Sequence, residues 1–396
     1  MNEKNVIIQS IEQVKDELIA LSHSIHQEPE TAFFEVASAR KIIACLQTHG
    51  FCVEAGIGGL ETAFRAEYDS GNEGPAVAFL AEYDALPEIG HGCGHNLITA
   101  MSVGAAIGLS KLTHKIPGKI VVMGTPGEEG GGGKIIMIQN QCFDDIDYGL
   151  MIHPATENLI CRGGLATRKV TVHFHGKAAH SSTPEEGINA LQAVIQTFNG
   201  VDHLRPLMPL KANVNGVILE GGRVPNVIPE YACCSFSVRA DTVFDLREIV
   251  SYVERAIATA EMLTGARAKI EKSRVYTERY PNRMIAERLK VNIAQFDEVM
   301  DYPDPKMKVG SSDIGNLSLE LPVIHSYLRI AEPGVNAHSS DFTRASASDF
   351  AHEQMIKGAK ALAMTGWDIF SDHSLREKIY DEFNQSVPKY KTEEIQ

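Results

Sequence analysis

The chain has 396 residues, 44% of them hydrophobic, which is too long for one ordinary domain and ample for a sizeable core. With 51 acidic against 37 basic residues its net charge is −14, and no Lys/Arg-rich run stands out, which argues against nucleic acid or an anionic membrane as the main partner. No apolar run approaches the ~20 residues of a membrane span, no secretion signal is visible at the start, and the 7 cysteines show no pairing logic, so the expected location is the reducing cytoplasm.

Residues 8–50 read as helical: Leu18, Leu21 and Ile25, then Ala37, Ile42, Ile43 and Leu46, recur at helical spacing, with Gly50 as a stop. Three short apolar runs follow, at 76–80, 120–123 and 150–152, each suited to a buried strand. Between the first two lies a helix-length apolar segment, 97–112. Strands alternating with helices predict an α/β fold with a mainly parallel sheet flanked by helices. Polar residues fall just past these runs: Cys93 and His95 after the first, Glu128 and Glu129 after the second, His153 at the third. Sites in open α/β sheets form beyond the carboxyl ends of the strands, so three such loops converge on one edge.

Composition changes near Ala166. Residues 169–175 alternate like a half-exposed strand, and Thr183-Pro184-Glu185-Glu186 has the form of a helix start, with Thr as N-cap and Pro at the first position. Residues 213–219 and 231–239 read as strands, with adjacent Cys233 and Cys234 suiting reduced side chains on opposite faces. Leu246, Ile249, Val250, Val253 and Ile257 mark an amphipathic helix stopping at Gly265, and 266–270 closes the set. This β-α-β-β-α-β order predicts an α+β two-layer domain, 166–279, inserted in a discontinuous domain of 1–165 and 280–396. The polar tail from Val387 is expected to be loose.

Thiolate, imidazole and carboxylate are the side chains that bind zinc-like ions. Cys93 has a glycine on each side and His95 two residues on; a helix starting near Leu97 would favour its thiolate. The neighbouring carboxylates Glu128 and Glu129 can divide labour, one on a metal and one on a water. Each residue also has a bland reading: a small buried hydrophobe for Cys93, a satisfied core or capping histidine for His95 and His153, a solvated pair for the glutamates. His338 lies in a loop-like Ala-His-Ser-Ser-Asp run that says little alone, and Asp313 and Asp341 suit ligand support and helix capping equally.

Several motifs stand in order: His26-Gln27-Glu28-Pro29-Glu30, Glu82-Tyr83-Asp84-Ala85-Leu86-Pro87, His91-Gly92-Cys93-Gly94-His95-Asn96, Gly124-Thr125-Pro126-Gly127-Glu128-Glu129 and His153-Pro154. Gly176-Lys177-Ala178-Ala179-His180-Ser181-Ser182 and Gly221-Gly222-Arg223-Val224-Pro225-Asn226-Val227-Ile228-Pro229 follow. With these in register the chain resembles the metal-dependent amidohydrolases of the aminoacylase/carboxypeptidase family. The likeness is greatest to the branch of p-aminobenzoyl-glutamate, hippurate and auxin-conjugate hydrolases and β-alanyl-lysine dipeptidases, and it spans nearly the whole chain. It implies a catalytic domain with two divalent metal ions, zinc foremost and manganese or cobalt as alternatives. It also implies an inserted lid domain that often makes a homodimer or larger homo-oligomer. By position, Cys93 resembles the ligand bridging the ions, Glu129 and His338 would complete one site, and His95 and His153 the other. Glu128 resembles the general base and Asp84 a supporting aspartate. His180, Asn226 and Arg239 resemble lid residues near the substrate's amide oxygen and carboxylate. Two positions depart from the better-known carboxypeptidases: Glu82 stands where they have a histidine ligand, and Cys93 where they bridge with aspartate.

The expected reaction is hydrolysis of an amide bond in an N-acyl or N-aroyl amino acid, dipeptide or short peptide, through a metal-activated water and Glu128. Its rivals are a cysteine-nucleophile amidase using Cys93 and a non-catalytic binding relative, against which the intact set of ligands and base speaks.

Overall fold

The chain opens on three helices, α1 (Glu3–Gln13), α2 (Lys15–Gln27) and α3 (Val36–Thr48). They bury Leu18, Leu21 and Ile25, then Ala39, Ile42 and Leu46, as a 3.6-residue period requires. The helical stretch expected over 8–50 is therefore not continuous: it breaks between α2 and α3, where Phe33 takes a left-handed φ of 67°. The computed structural model describes residues 2–209, 212–307 and 309–396. It divides into two units, Met1–Gly163 with Arg279–Glu394, and Gly164–Glu278 with Ile395–Gln396.

In the first unit β1 (Cys52–Ala55) and β2 (Phe64–Asp69) precede β3 (Ala76–Ala81), α4 (His95–Ser110), β4 (Lys119–Gly124), α5 (Gly133–Gln139) and β5 (Tyr148–Ala155). All residues of β3 are buried, as an interior parallel strand demands. Every residue of α4 is buried as well, which explains why it reads as apolar on all sides.

The second unit runs β6 (Ala166–His175), β7 (Ala179–His180), α6 (Ala190–Leu204), β8 (Asn213–Glu220), β9 (Val227–Ile228), β10 (Tyr231–Ala240), α7 (Val243–Thr264) and β11 (Arg267–Lys272). Its antiparallel sheet has the order β11-β6-β10-β8, and β7 pairs with β9 in a separate ribbon. Helices α6 and α7 pack on the sheet, giving two layers. Helix α7 ends as expected, with Gly265 left-handed at φ 77°. The start expected at Thr183 is only a 3-10 turn, Pro184–Glu186, whose Thr183 makes no side-chain cap. Gly187 then turns extended, and α6 begins behind Asn189, whose side chain accepts from the Gln192 N–H at 3.1 Å.

The chain returns to the first unit with α8 (Arg283–Ile293), α9 (Ile314–Glu320), β12 (Val323–Arg329), α10 (Ser340–Ala345), α11 (Asp349–Ser371) and α12 (His373–Ser386). The six-stranded sheet has the order β1-β2-β4-β3-β5-β12; β4, β3, β5 and β12 are parallel, while β2 and β1 form an antiparallel edge. Alternate residues face two cores: Val77, Phe79, Val122 and Ile152 one way, Ala78, Leu80, Val121 and Met151 the other. The tail from Val387 is not loose throughout: Val387 is 7% and Ile395 3% exposed.

Candidate active site

The carboxyl ends of β3, β4 and β5 lie at the same edge of the parallel sheet, and Cys93, His95, Glu128, Glu129 and His153 converge there. Gly94, at φ 74°, lets the Cys93 loop approach the strand carrying His153: a Cβ at Gly94 would sit 2.9 Å from Pro154 Cγ. His95 follows as the first residue of α4. Its Nδ1 bonds the Asp84 carbonyl at 2.9 Å and Asp84 Oδ1 at 3.0 Å. Asp84 Oδ2 accepts from the Glu129 N–H at 2.8 Å, so one buried carboxylate aligns both a histidine ring and the neighbouring loop. Cys93 Sγ donates to Glu129 Oε1 at 2.6 Å. His338 arrives from far along the chain, its N–H on the Gly92 carbonyl at 3.0 Å and its Nε2 3.5 Å from Glu129 Oε1. Its φ of 62° is a left-handed conformation that a histidine holds only when its surroundings impose it. His153 gives its Nδ1 to the Pro154 carbonyl at 2.7 Å, and its ring lies 5.8 Å from that of His95.

Two overlapping groups offer ligand atoms all within 4.8 Å of one another: Cys93, His95 and Glu129, and Glu82, His95 and His153. Glu128 is buried beside them; burial first, then Glu129, Glu82 and Asp313, push its carboxyl well above the usual range. Burial and then Glu129 push the Cys93 thiol far up, so in the metal-free protein it is a hydrogen-bond donor. Burial alone would lower His95, but Asp84 and Glu82 overcome it and raise the ring to about 10; burial and His95 lower His153 to about 3. The residues fit divalent ions. His95 Nε2 and Glu82 Oε2 are buried without a hydrogen-bond partner among the described residues, and the donors are thiol, imidazole and carboxylate under a surplus of negative charge.

Five residues around the site were not singled out from the sequence: Lys134, Glu35, His325, Tyr327 and Arg279. Lys134, in the first turn of α5, is fully buried, with Nζ 2.6 Å from Glu82 Oε1 and 2.8 Å from Asp313 Oδ1. A lysine beside the apolar Ile135-Ile136-Met137 was the available signal. Asp313 is thereby neither capping α9 through its side chain nor among the grouped ligand atoms, and Asp341 is an exposed partner of Arg344. Glu35 accepts from the N–H groups of Phe33 and Gly127, both at 2.9 Å, and from Thr62 Oγ1 at 3.0 Å, strapping the start of α3 to the turn before Glu128. Burial, then Asp84, raises it to about 7. Beside His153 stand His325 and Tyr327, ring centroids 5.2 and 5.5 Å away, both bonded to Arg279 Nη1.

In the second unit His180 is exposed on β7, its Nδ1 2.7 Å from Ser182 Oγ. Pairing of β7 with β9 brings it next to Asn226, whose carbonyl accepts from the Ser181 N–H at 3.0 Å. Arg239 lies on the other sheet of that unit, on β10 opposite Thr167 and Asn213.

Residues 162–262 match the family model of a peptidase dimerisation domain. The Xaa-Arg dipeptidase of Mus musculus is 35% identical over 395 residues, covering 94% of this chain and 90% of its own length. A p-aminobenzoyl-glutamate hydrolase subunit of Escherichia coli (strain K12) is 26% identical over 95% of this chain and 94% of its own. A crystal structure from Bacillus subtilis, described as a dinuclear metal binding peptidase from the M20 family, shares the fold with a TM-score of 0.65 at 18% identity, covering 89% of this chain and 98% of that one.

Proposed function

The chain belongs to the M20 family of metal-dependent peptidases and amidohydrolases, and on that premise we propose that it is a two-ion dipeptidase acting on dipeptides with a basic C-terminal residue. It is an enzyme that hydrolyses amide bonds. The substrate preference is supported by the 35% identity to an Xaa-Arg dipeptidase and by a net charge of −14, which draws cationic substrates.

The reading is carried by one observation: a buried Glu128, its carboxyl pushed well above the usual range by burial and then by Glu129, stands in the same cluster as Cys93, His95, Glu129, His153 and His338. Cys93, His95, Glu129, His153 and His338 would hold the two ions. Bound divalent ions, zinc foremost and manganese or cobalt as alternatives, would lower the pKa of a water and polarise the scissile carbonyl. Glu128 takes the proton of the attacking water and returns it to the amide nitrogen as the C–N bond breaks. Asp84 keeps the His95 ring oriented throughout by holding its Nδ1. His180 and Asn226 would donate to the developing oxyanion, and Arg239 would grip the substrate carboxylate in a bidentate pair.

We assign residues 166–279 as the lid and as the surface of self-association. Its edge strand β8 exposes Val217, Ile218 and Leu219 in succession at 50% or more, an apolar edge with no partner strand among the described residues and suited to a second copy; sedimentation equilibrium tests it. A reducing cytoplasmic location is supported by seven free cysteines. No helix among the described residues is long and apolar enough to cross a membrane. The cysteine-nucleophile alternative is disfavoured by a thiol that burial and Glu129 keep protonated and that donates to a carboxylate.

The test is turnover of an Xaa-Arg and Xaa-Lys dipeptide panel beside p-aminobenzoyl-glutamate and hippurate. Activity should vanish with a chelator and return with zinc, manganese or cobalt. Turnover that survives complete metal removal would sink the metal-dependent reading, and a preference for the aroyl substrates would sink the dipeptide one.

A further inference from the structure

We propose that Glu82 is itself an ion ligand, completing a set with His95 and His153, and that Lys134 is the positioning residue that holds it there. The inference rests on the two-ion reading above and adds a residue outside the five ligands assigned in it.

The two oxygens of Glu82 have different surroundings. Oε1 accepts from Lys134 Nζ at 2.6 Å. Oε2 is buried with no hydrogen-bond partner among the described residues and lies 3.5 Å from His95 Nε2, which likewise has none. His95 spends its Nδ1–H on Asp84, and His153 spends its own on the Pro154 carbonyl. Each ring thus has its Nδ1 occupied and its Nε2 left as the atom an ion would take, the ring giving up any Nε2 proton on binding. Glu82 Oε2 and His95 Nε2 face each other, buried and without a hydrogen-bond partner among the described residues, and the half-buried His153 ring stands beside them. One atom from each of Glu82, His95 and His153 falls within 4.8 Å of the others, and a divalent cation satisfies all three.

The hydrogen bonds of Lys134 lead to the same place. Lys134 contacts two carboxylates, Glu82 and Asp313, and all three side chains are at most 1% exposed. Asp313 is committed to Lys134 at both ends, through Oδ1 to Nζ and through Oδ2 to the backbone N–H at 2.9 Å. Glu82 is committed by one oxygen only, and its other oxygen faces the His95 ring. Asp313 thus anchors Lys134, Lys134 anchors one oxygen of Glu82, and the other oxygen is left for the ion.

The experiment compares Glu82→Gln with the wild type in two measurements. The substitution keeps the side chain's shape and removes the anionic ligand. Thermal unfolding of the metal-free variant should remain a single cooperative transition, showing that the fold is kept. Zinc titration against a competing chelator should show one of the two ions weakened by about 10²-fold and the other unchanged. The double variant Lys134→Met, Asp313→Asn removes the tether at constant net charge and should weaken the same ion by about 10-fold. Wild-type affinity for both ions in Glu82→Gln overturns the proposal; Glu82 is then only the salt-bridge partner of Lys134. If the wild type takes up fewer than two ions, the two-ion reading is what fails, and an unchanged affinity for the single ion in Glu82→Gln still overturns the ligand assignment.

Discussion

The two units treat their polar side chains in opposite ways. In the first, each proposed functional group is held by another: Asp84 holds His95 and the Glu129 N–H, Glu35 holds Gly127, and Lys134 holds Glu82. In the second, His180 and Asn226 are exposed, and the side-chain contact that His180 makes among the described residues is to Ser182, two residues along the chain. Ions require donor atoms preset to a few tenths of an ångström, and burial with interlocking hydrogen bonds provides that rigidity. Substrates of variable side chain tolerate looser, solvated contacts. The difference predicts that substitutions in the first unit act on metal, proton transfer and stability, whereas those in the second act on the substrate and its transition state and leave metal content and stability unchanged.

The strongest test of that division is Glu128→Gln. The amide keeps the volume and cannot accept the water's proton, so kcat should fall by about 10³-fold or more with metal content unchanged. Near-normal kcat would remove Glu128 from the proton path. A parallel loss of bound metal would show it to be part of the ion scaffold instead.

Glu35 sharpens the comparison, because its burial has a cost that pH reveals. Its carboxyl is 0% exposed and raised from 4.5 to about 7, by burial first and Asp84 second. The folded protein thus keeps a proton on Glu35 up to about pH 7, while the unfolded chain releases it near 4.5. Between those values the native state binds more protons, so the stability contributed by this group is greatest at acid pH and falls as pH rises, by about 3 kcal/mol in all. Denaturant unfolding of the metal-free protein at pH 5 and pH 8 measures it. Glu35→Gln, which cannot ionise, should flatten that part of the profile, and equal pH slopes in the two proteins would refute the assignment.

Glu35 also marks where sequence reading stops. The strands β3, β4 and β5 were legible because each is a continuous apolar run, and Cys93, His95, Glu128, Glu129 and His153 because each lies at or just past such a run. The mainly parallel sheet follows from that alternation. β12 was not legible: His325 and Ser326 interrupt its apolar character, although both are buried. The edge strands β1 and β2 are short and half-exposed and carry no clean run. The supports were invisible for a different reason. Lys134 meets Glu82 across 52 positions and Asp313 across 179, and Glu35 meets Gly127 across 92, so each looks like an ordinary charged residue until the fold joins the pair. The helix start misread at Thr183 shows a local limit: its Thr-Pro-Glu-Glu signature sufficed for one turn, and the extended Gly187 ended it.

In the second unit the larger expected effect belongs to His180. Its exposed ring is available to a substrate oxygen, and an oxyanion forms only in the transition state, so His180→Ala should lower kcat by about 10²-fold with KM little changed. Steady-state kinetics on an Xaa-Arg dipeptide read both constants. A loss confined to KM would make His180 a ground-state contact and move it out of the chemical step.

Arg239 should give the smallest effect and the most specific one. It is half-buried near the end of β10, opposite Thr167 and Asn213, on a different sheet from His180 and Asn226. A guanidinium grips a carboxylate through two parallel N–H donors, a pairing a carboxamide cannot match in charge or geometry. That grip is made equally in the bound substrate and in the transition state, because the C-terminal carboxylate takes no part in the bond change. Arg239→Ala should therefore raise KM by about 10-fold for a dipeptide with a free C-terminus while leaving kcat nearly unchanged. For the matching C-terminal amide, which offers no carboxylate, the wild type and variant should have nearly the same KM. Arg239→Lys should recover only part of the loss, since a point charge replaces one of two fixed donors. Equal increases in KM for acid and amide would make Arg239 a strut of the β10 sheet, and the carboxylate contact would then have to be sought elsewhere.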